Sequence, residues 1–368
     1  MSIDFRPTVD ELRGAFLAAA NLGGRPADER AACLQQLRPT ELCRVALEME
    51  ARLWPDNDAG TLRAAFAGGV AVDAMTAAIG SALVIGAAEA GKADTTRGWC
   101  MEANVGSFQT RQLLTISQGT RLEVLPRGGK ANMAAVEVAA ESWRIHRFAK
   151  QLLFDEQDLF DDSVGALLVA AKQLGDAAAR VRPDLVYSLL LSNPTLADDV
   201  ALFDAATHGN LGTGGGSALA AGSLQTGIAA VGNQHAHDEK GRPVHLNLRP
   251  GVLLVPHELT TTARGLVCNM LLGDGNDIEV RSESRLGTVP VLDPASEVSY
   301  TGTATNWLLA CMGSAWPSVV VGYLDGKTIP SVRSTKLKEG QWGVAWDINL
   351  DIGVAAVDHR GLYKSAGA

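Results

Sequence analysis

The stretch from Trp342 to Gly353 constrains the fold more than any other part of the chain. Trp342, Val344, Trp346, Ile348, Leu350 and Ile352 take every second position, and Gly343, Ala345, Asp347, Asn349, Asp351 and Gly353 fill the places between. Side chains alternate across a strand but recur every three or four residues on a helix face. An unbroken period of two therefore predicts a β-strand with one buried and one wet face, the carboxylates of Asp347 and Asp351 lying on the wet one. The same stretch also resembles a calcium loop, with Asp347, Asn349, Asp351 and Asp358 at positions 1, 3, 5 and 12. That loop needs Gly at position 6, a bidentate Glu at position 12 and helices on either side. Here those two positions hold Ile352 and Asp358, so the strand reading prevails. Asp358 and Arg360, two residues apart beyond the strand, are then expected to pair and fix the chain end.

A chain of 368 residues, 46% hydrophobic and 20% charged, can bury a sizeable core. Its 39 glycines and 5% aromatic share favour a loop-rich fold over a helical bundle. The net charge of −9 argues against a protein that grips nucleic-acid phosphates, although a wall that only encloses DNA needs no such grip. Five scattered cysteines without a C-x-x-C pair read as reduced, packed thiols of a reducing compartment. Asp4, Arg6 and Asp10 interrupt any signal-like apolar run, and the small-residue stretch around 64–90 carries Asp73 and Glu89, which makes it a poor membrane span. Together these predict a cytoplasmic protein with no membrane partner.

Along the chain, Thr8 and Glu11 form a capping-box pattern before Leu12, Phe16 and Ala19 at helical spacing. Residues 61–92 read as partly helical with glycine interruptions. Residues 112–150 read as a two-stranded ribbon: Leu122 and Val124 alternate outward, Arg127, Gly128, Gly129 and Lys130 turn, and Val136, Val138, Trp143 and Ile145 alternate back. The ribbon is too poor in apolar residues to make its own core, and a lone hairpin is marginal in water, so it is expected to lie against a neighbour. After Ser163 comes the strongest helical pattern, from Val164 to Leu189, roughly 40 Å long if continuous. Pro183 is expected to kink it or end it at Arg182. A helix near 218–231, a strand over Val252–Val255 closed by Pro256, a helix over 257–272 and a strand-rich C-terminal part follow.

Four near-motifs fail on inspection. Gly322-Tyr-Leu-Asp-Gly-Lys-Thr328 is one residue short of a phosphate-binding loop and runs into Ile329-Pro330, so it predicts a tight turn at Asp325-Gly326. His257 begins a zinc-protease-like helix, but position 261 is Thr. The glycine-rich 208–217 segment lacks the dinucleotide-binding spacing. His235, His237 and Asp238 are weak metal candidates in a polar loop without visible support, the basis of an alternative reading as a metal-dependent hydrolase. No nucleophile elbow is present, and no catalytic residue or cofactor site is expected.

The order of parts resembles the major capsid proteins of tailed bacteriophages, in the group of Mu-like and prohead-protease-fused head subunits. The resemblance covers roughly residues 73–368. It rests on His208-Gly209-Asn210-Leu211, Pro250 to Pro256, the segment from Gly322 through Gly326 to Pro330, Trp346 in the terminal strand, and Asp358-x-Arg360-Gly361. It implies an α+β fold of the Hong Kong 97 type, non-enzymatic. Its parts would be a helical N-terminal segment over 1–72, an arm extension or scaffold-like. An N-arm over 73–111 and an E-loop ribbon over 112–150 follow. Then come a peripheral domain with a spine helix over 151–225, an axial domain over 226–341 and a return strand over 342–368. Arg127, Gly128, Gly129, Lys130 and Trp143 would serve assembly. The implied partners are other copies of the chain in hexamers, pentamers and an icosahedral shell, a portal, a scaffold or prohead protease, and enclosed DNA held without specific binding. The implied place is the virion, assembled in the host cytoplasm. A shell of the encapsulin kind is the alternative that keeps the fold.

Overall fold

The computed structural model describes residues 7–22, 26, 29–50, 60–61, 64–65, 69–116, 124, 127, 138–155, 164–237, 241–270, 278–335 and 343–367. The helices are α1 (Val9–Ala19), α2 (Glu29–Leu34), α3 (Pro39–Met49), α4 (Val70–Ala90), α5 (Val164–Ser192), α6 (Ala221–Gly232) and α7 (Thr260–Met270). The first strands are β1 (Met101–Val105), β2 (Arg111–Ile116), β3 (Val138–Trp143), β4 (His146–Asp155), β5 (Leu211–Gly212), β6 (His235–His237), β7 (Pro243–His245) and β8 (Pro250–Val255). After them come β9 (Glu279–Ser282), β10 (Val291–Leu292), β11 (Ser299–Tyr300), β12 (Trp307–Cys311), β13 (Val319–Leu324), β14 (Ser331–Thr335), β15 (Gly343–Ala356) and β16 (Leu362–Ser365). The class is α+β, with helices and mostly antiparallel strands. The chain divides into two compact units, one of Met1–Ala93, Arg147–Arg180 and Lys327–Asp351, the other of Asp94–His146, Val181–Gly326 and Ile352–Ala368.

The first unit is helical around one core. Thr8 caps α1 by accepting from the Glu11 amide while Glu11 accepts from the Thr8 amide. Leu12 and Phe16 of α1, Leu42 and Leu47 of α3, Met75, Ile79 and Leu83 of α4, and Leu168 and Ala171 of α5 are buried together with Trp346 and Ile348 of β15. Among the described residues, the helices of the N-terminal segment, expected as an arm extension or scaffold-like, contribute to this core. Helix α4 is long and apolar enough to cross a membrane by composition, but the described structure turns Ala74, Met75, Ala78, Ile79, Ala82 and Leu83 into the core. Gly86 of this helix has a packing purpose. A Cβ on Gly86 would lie 2.1 Å from the Lys172 carbonyl, and one on Gly175 would lie 2.2 Å from the Leu83 carbonyl. The backbones of α4 and α5 touch there with no room for a methyl group.

In this unit β15 pairs antiparallel with β14, Ser331 facing Asn349 and Thr335 facing Ala345. Trp346 is buried and donates from Nε1 to Thr76 Oγ1 at 2.9 Å. Asp347 accepts from Gln151 and Thr335. Asp351 departs from the expected wet face: it is buried and accepts two hydrogen bonds from Arg147, at 2.8 and 2.9 Å. The alternation holds from Trp346 to Leu350, whereas Ala345 before it is fully buried; from Asp351 to Gly353 consecutive residues are again buried on both faces, so a carboxylate there needs the cation β4 supplies. Trp342 lies outside the described residues.

The second unit holds a sheet of order β5-β16-β12-β8-β9. All of β12 and most of β8 are buried, and Leu224 and Val231 of α6 and Ala263 and Val267 of α7 join Leu253, Val255, Trp307, Leu309 and Tyr363 in its core. A second cluster gathers Val105, Trp143, Ile145, Val320, Ala355 and Val357 around β1, β13 and the end of β15. Asp325 and Gly326, with φ of 51° and 69°, make the tight turn that the failed phosphate loop predicts.

Pro183 neither ends the long helix nor confines it: α5 runs from Val164 to Ser192 with the proline inside. Local preference loses because the residues on both sides of the proline are tied down. Arg182 and Asp184 each enter an ion pair in the second unit, and Leu185, Val186, Tyr187 and Leu190 are buried beyond them.

The close approach of α4 and α5 yields a direct expectation. Gly175→Ala should lower the stability of the first unit by roughly 1–3 kcal/mol, the range for an inserted methyl in a filled interior. Urea unfolding checks this; an unchanged midpoint would show that the helices separate freely.

Candidate functional site at the ribbon base and the signature cluster

The ribbon is present at its base. Strands β2 and β3 pair antiparallel from Arg111 opposite Trp143 to Ile116 opposite Val138. Of the tip, Arg127 is exposed, while Gly128, Gly129 and Lys130 lie outside the described residues. Val124 is 95% exposed. Trp143, expected to serve assembly, instead is buried within the second unit. The reason is a notch in the sheet below it. Gly322 of β13 and Gly353 of β15 face each other across the strands. A Cβ on Gly322 would lie 2.2 Å from the Trp143 ring, and one on Gly353 would lie 2.4 Å from the Arg144 carbonyl. Two glycines side by side thus seat the indole and the chain that leaves the ribbon.

Most of the signature residues from the sequence lie in the second unit, while Pro330 and Trp346 belong to the first. Gly209 takes a positive φ of 63°, which turns the chain so that Asn210 points inward. Asn210 is 1% exposed; its Oδ1 accepts from the Asp204 amide at 2.9 Å, and its Nδ2 donates to the carbonyls of Leu202 and His359 at 2.8 and 3.3 Å. His208 stacks on His359 with ring centres 3.7 Å apart and planes 4° from parallel. His208 Nε2 lies 2.9 Å from Asp198 Oδ2. Burial pushes the His359 imidazole down to about 4; Asp358 opposes this, while His208 and Arg360 add to it. The Asp198 carboxyl is held below its usual range: burial raises it, but the His208 hydrogen bond and the Val200 amide outweigh that.

Asp358 and Arg360 form the expected pair. Asp358 accepts from the Arg360 amide at 2.9 Å and from its guanidinium at 2.8–3.1 Å, and Arg360 lies over the Trp316 ring at 5.2 Å. A Cβ on Gly361 would lie 2.3 Å from Ser318 Oγ, which accounts for the glycine. Pro250 opens β8 and Pro256 follows its end, Gly326 sits in the β13 turn, and Pro330 precedes β14.

Sequence reasoning missed a buried cation. Arg182 donates from Nε to Thr96 Oγ1 at 2.9 Å, lies 3.4 Å from Asp94 Oδ2, and contacts Glu102 and the Tyr323 hydroxyl. Burial works against its charge, yet Tyr323, Glu102 and Asp94 outweigh that and raise its pKa above the ordinary arginine value. Arg285 pairs with Asp184 at 2.5 Å and with Glu283 at 2.9 Å, and Glu283 accepts from Thr95. Nothing in the local pattern around Arg182 announces these partners, which stand far away in sequence.

Two groups could hold a metal ion. Asp198, His208 and His359 bring ligand atoms within 4.8 Å of one another. Their stacked rings count against it: imidazole lone pairs lie in the ring plane, and one ion cannot lie in two parallel planes 3.7 Å apart. His235 and His237 stand on β6, exposed, with ring centres 5.0 Å apart; Asp238 lies outside the described residues. The described residues therefore place a polar, tightly bonded chain-end cluster, with nothing in it arranged as nucleophile and base.

The family model for phage capsid protein matches residues 139–365, well over half of the chain. The chain belongs to the phage capsid protein family. No curated protein sequence matches it. Among solved structures it is similar to the capsid of cyanophage P-SCSP1u, at 11% identity and a TM-score of 0.46, covering 73% of this chain and 86% of that one. It is likewise similar to the cyanophage Pam1 capsid, at 12% identity and 0.46, covering 72% and 87%. The holo-SrpI encapsulin complex from Synechococcus elongatus PCC 7942 is similar at 9% identity and 0.42, covering 73% and 85%. Membership rests on the family model and not on these distant likenesses.

Two expectations follow from the clusters. Arg182→Met should cost about 1–3 kcal/mol, because it removes the buried hydrogen-bonded cation shared by Thr96, Glu102 and Asp94, although Arg97 still pairs with Asp94 at 3.3 Å; thermal melts read the loss, and a melt as high as wild type would show that the network carries no stability. His359 supports stability fully above pH 6.5. Between 6.5 and about 4 the unfolded chain takes up a proton that the folded chain refuses, so stability falls as the pH falls through that window. Melts at several pH values should show that slope in the wild type and a shallower one in His359→Asn; equal slopes would refute it.

Proposed function

We propose that the chain is the major head subunit of a tailed phage, assembling through hexamers and pentamers into an icosahedral shell around double-stranded DNA. Membership of the phage capsid protein family carries this reading. The physical character of the chain supports it. Shell subunits bury area against neighbours in several settings, and a two-stranded ribbon whose described base pairs β2 with β3 suits that task. A net charge of −9 suits a wall that does not hold its contents tightly.

The role is structural rather than enzymatic. In this reading residues 1–72 form a helical N-terminal segment, 73–111 the N-arm, 112–150 the E-loop, 151–225 the peripheral domain, 226–341 the axial domain and 342–368 the return strand. Arg127, Gly128, Gly129 and Lys130 at the ribbon tip meet a neighbouring copy. A portal and a scaffold or prohead protease join the assembly, which takes place in the host cytoplasm and ends in the virion.

Negative-stain microscopy with sedimentation of the expressed chain tests this. Rings or shells are expected; a monomer that stays compact under all assembly conditions would defeat the proposal. Deleting Arg127–Lys130 should leave the monomer melt unchanged and impair shell formation. Should the deletion unfold the subunit, the tip belongs to a core and the layout is wrong.

A further inference from the structure

The hairpin of β6 and β7 assembles three histidines on one face. The strands pair antiparallel with His235 opposite His245, Ala236 opposite Val244 and His237 opposite Pro243. Residues directly opposite share a face, and so do residues two apart on one strand. His235, His237 and His245 therefore project to the same side, and all three are exposed, while Ala236 is buried on the other side.

The ring geometry suits a shared ion. Two imidazoles bound through nitrogen to one tetrahedral ion at about 2.0–2.1 Å hold their ring centres about 5 Å apart and their planes well away from parallel. His235 and His237 stand 5.0 Å apart at 72°. This is the opposite of the parallel stack of His208 and His359. A tautomer-fixing contact is present too: His235 Nδ1 lies 3.4 Å from the Asn233 carbonyl, and donation there leaves Nε2 free as a ligand. His245 stands directly across the strand pair from His235, on the same face, and is the third imidazole of the hairpin.

We propose that His235, His237 and His245 form a surface binding site for a divalent transition-metal ion of the zinc type, with a fourth position open to water. Imidazole donors select such ions over calcium or magnesium, which take oxygen ligands. Zinc bound here ties β6 to β7 and stabilises a two-stranded hairpin that is marginal by itself in water.

The test uses the untagged, metal-stripped full-length chain. Zn²⁺ is titrated by calorimetry, and Co²⁺ is followed by its tetrahedral absorption. One equivalent per chain is expected. His245→Ala and His237→Gln should each weaken binding roughly tenfold or more, on the scale by which ligand-shell changes act. His359→Ala should leave it unchanged. Hydrogen exchange over residues 235–245 should slow when Zn²⁺ is added to the wild type and not to His245→Ala. Absence of saturable binding near one equivalent overturns the proposal. So does binding that survives His245→Ala, or that disappears in His359→Ala while the hairpin variants retain it.

Discussion

A nearly buried charge ties together several segments of the second unit. Arg182 sits at the point where α5 enters that unit, and its guanidinium must be neutralised and hydrogen-bonded where it lies. Asp94, Thr96, Glu102 and Tyr323 supply that, so the requirement of one side chain draws in the segment before β1, β1 itself and β13. Buried ion pairs add little net stability over an apolar filling, but they are demanding about geometry. That demand explains how a proline one residue later can be carried inside a helix: the chain on either side is held by partners that local backbone preference cannot move.

Histidine appears in two arrangements with opposite consequences. At the chain-end cluster, His208 and His359 stack in parallel and share their surroundings with Asp198 and the Asp358–Arg360 pair. Parallel rings, with His208 and Asp358 buried and His359 half-buried, make that cluster a chain-end clasp sensitive to protons. On the β6–β7 hairpin the rings are exposed and tilted, which is the arrangement an ion can use. The same residue type thus has different chemistry according to the angle between rings and the water around them.

Much of the architecture was legible in local pattern. Period two from Trp342 onward called for a strand, spacing of three and four after Ser163 called for the long helix, and Asp325-Gly326 called for a tight turn; each stands in the structure. The ribbon base and the Asp358–Arg360 pair were also readable, because their partners lie close in sequence or repeat regularly. The departures share one cause. Trp143 was expected to serve assembly, and its seat within the second unit was not legible because Gly322 and Gly353, which make it, are distant glycines with no side chain to signal a contact. Asp351 read as wet because alternation assumes one covered face, and β15 is covered on both from that point.

The sequence alone determined whatever depends on neighbours within a few residues: helix periodicity, strand alternation, capping at Thr8 and turn chemistry at Gly326. It also carried the motif order by which the family could be recognised. Tertiary structure alone decided which charges are paired, which glycines are contact points, and which third histidine joins His235 and His237. Burial and register are long-range properties. A side chain's partner across a sheet or beneath a helix is chosen by the whole packing, and only there does the free energy of hiding a charge or admitting a methyl group take its value.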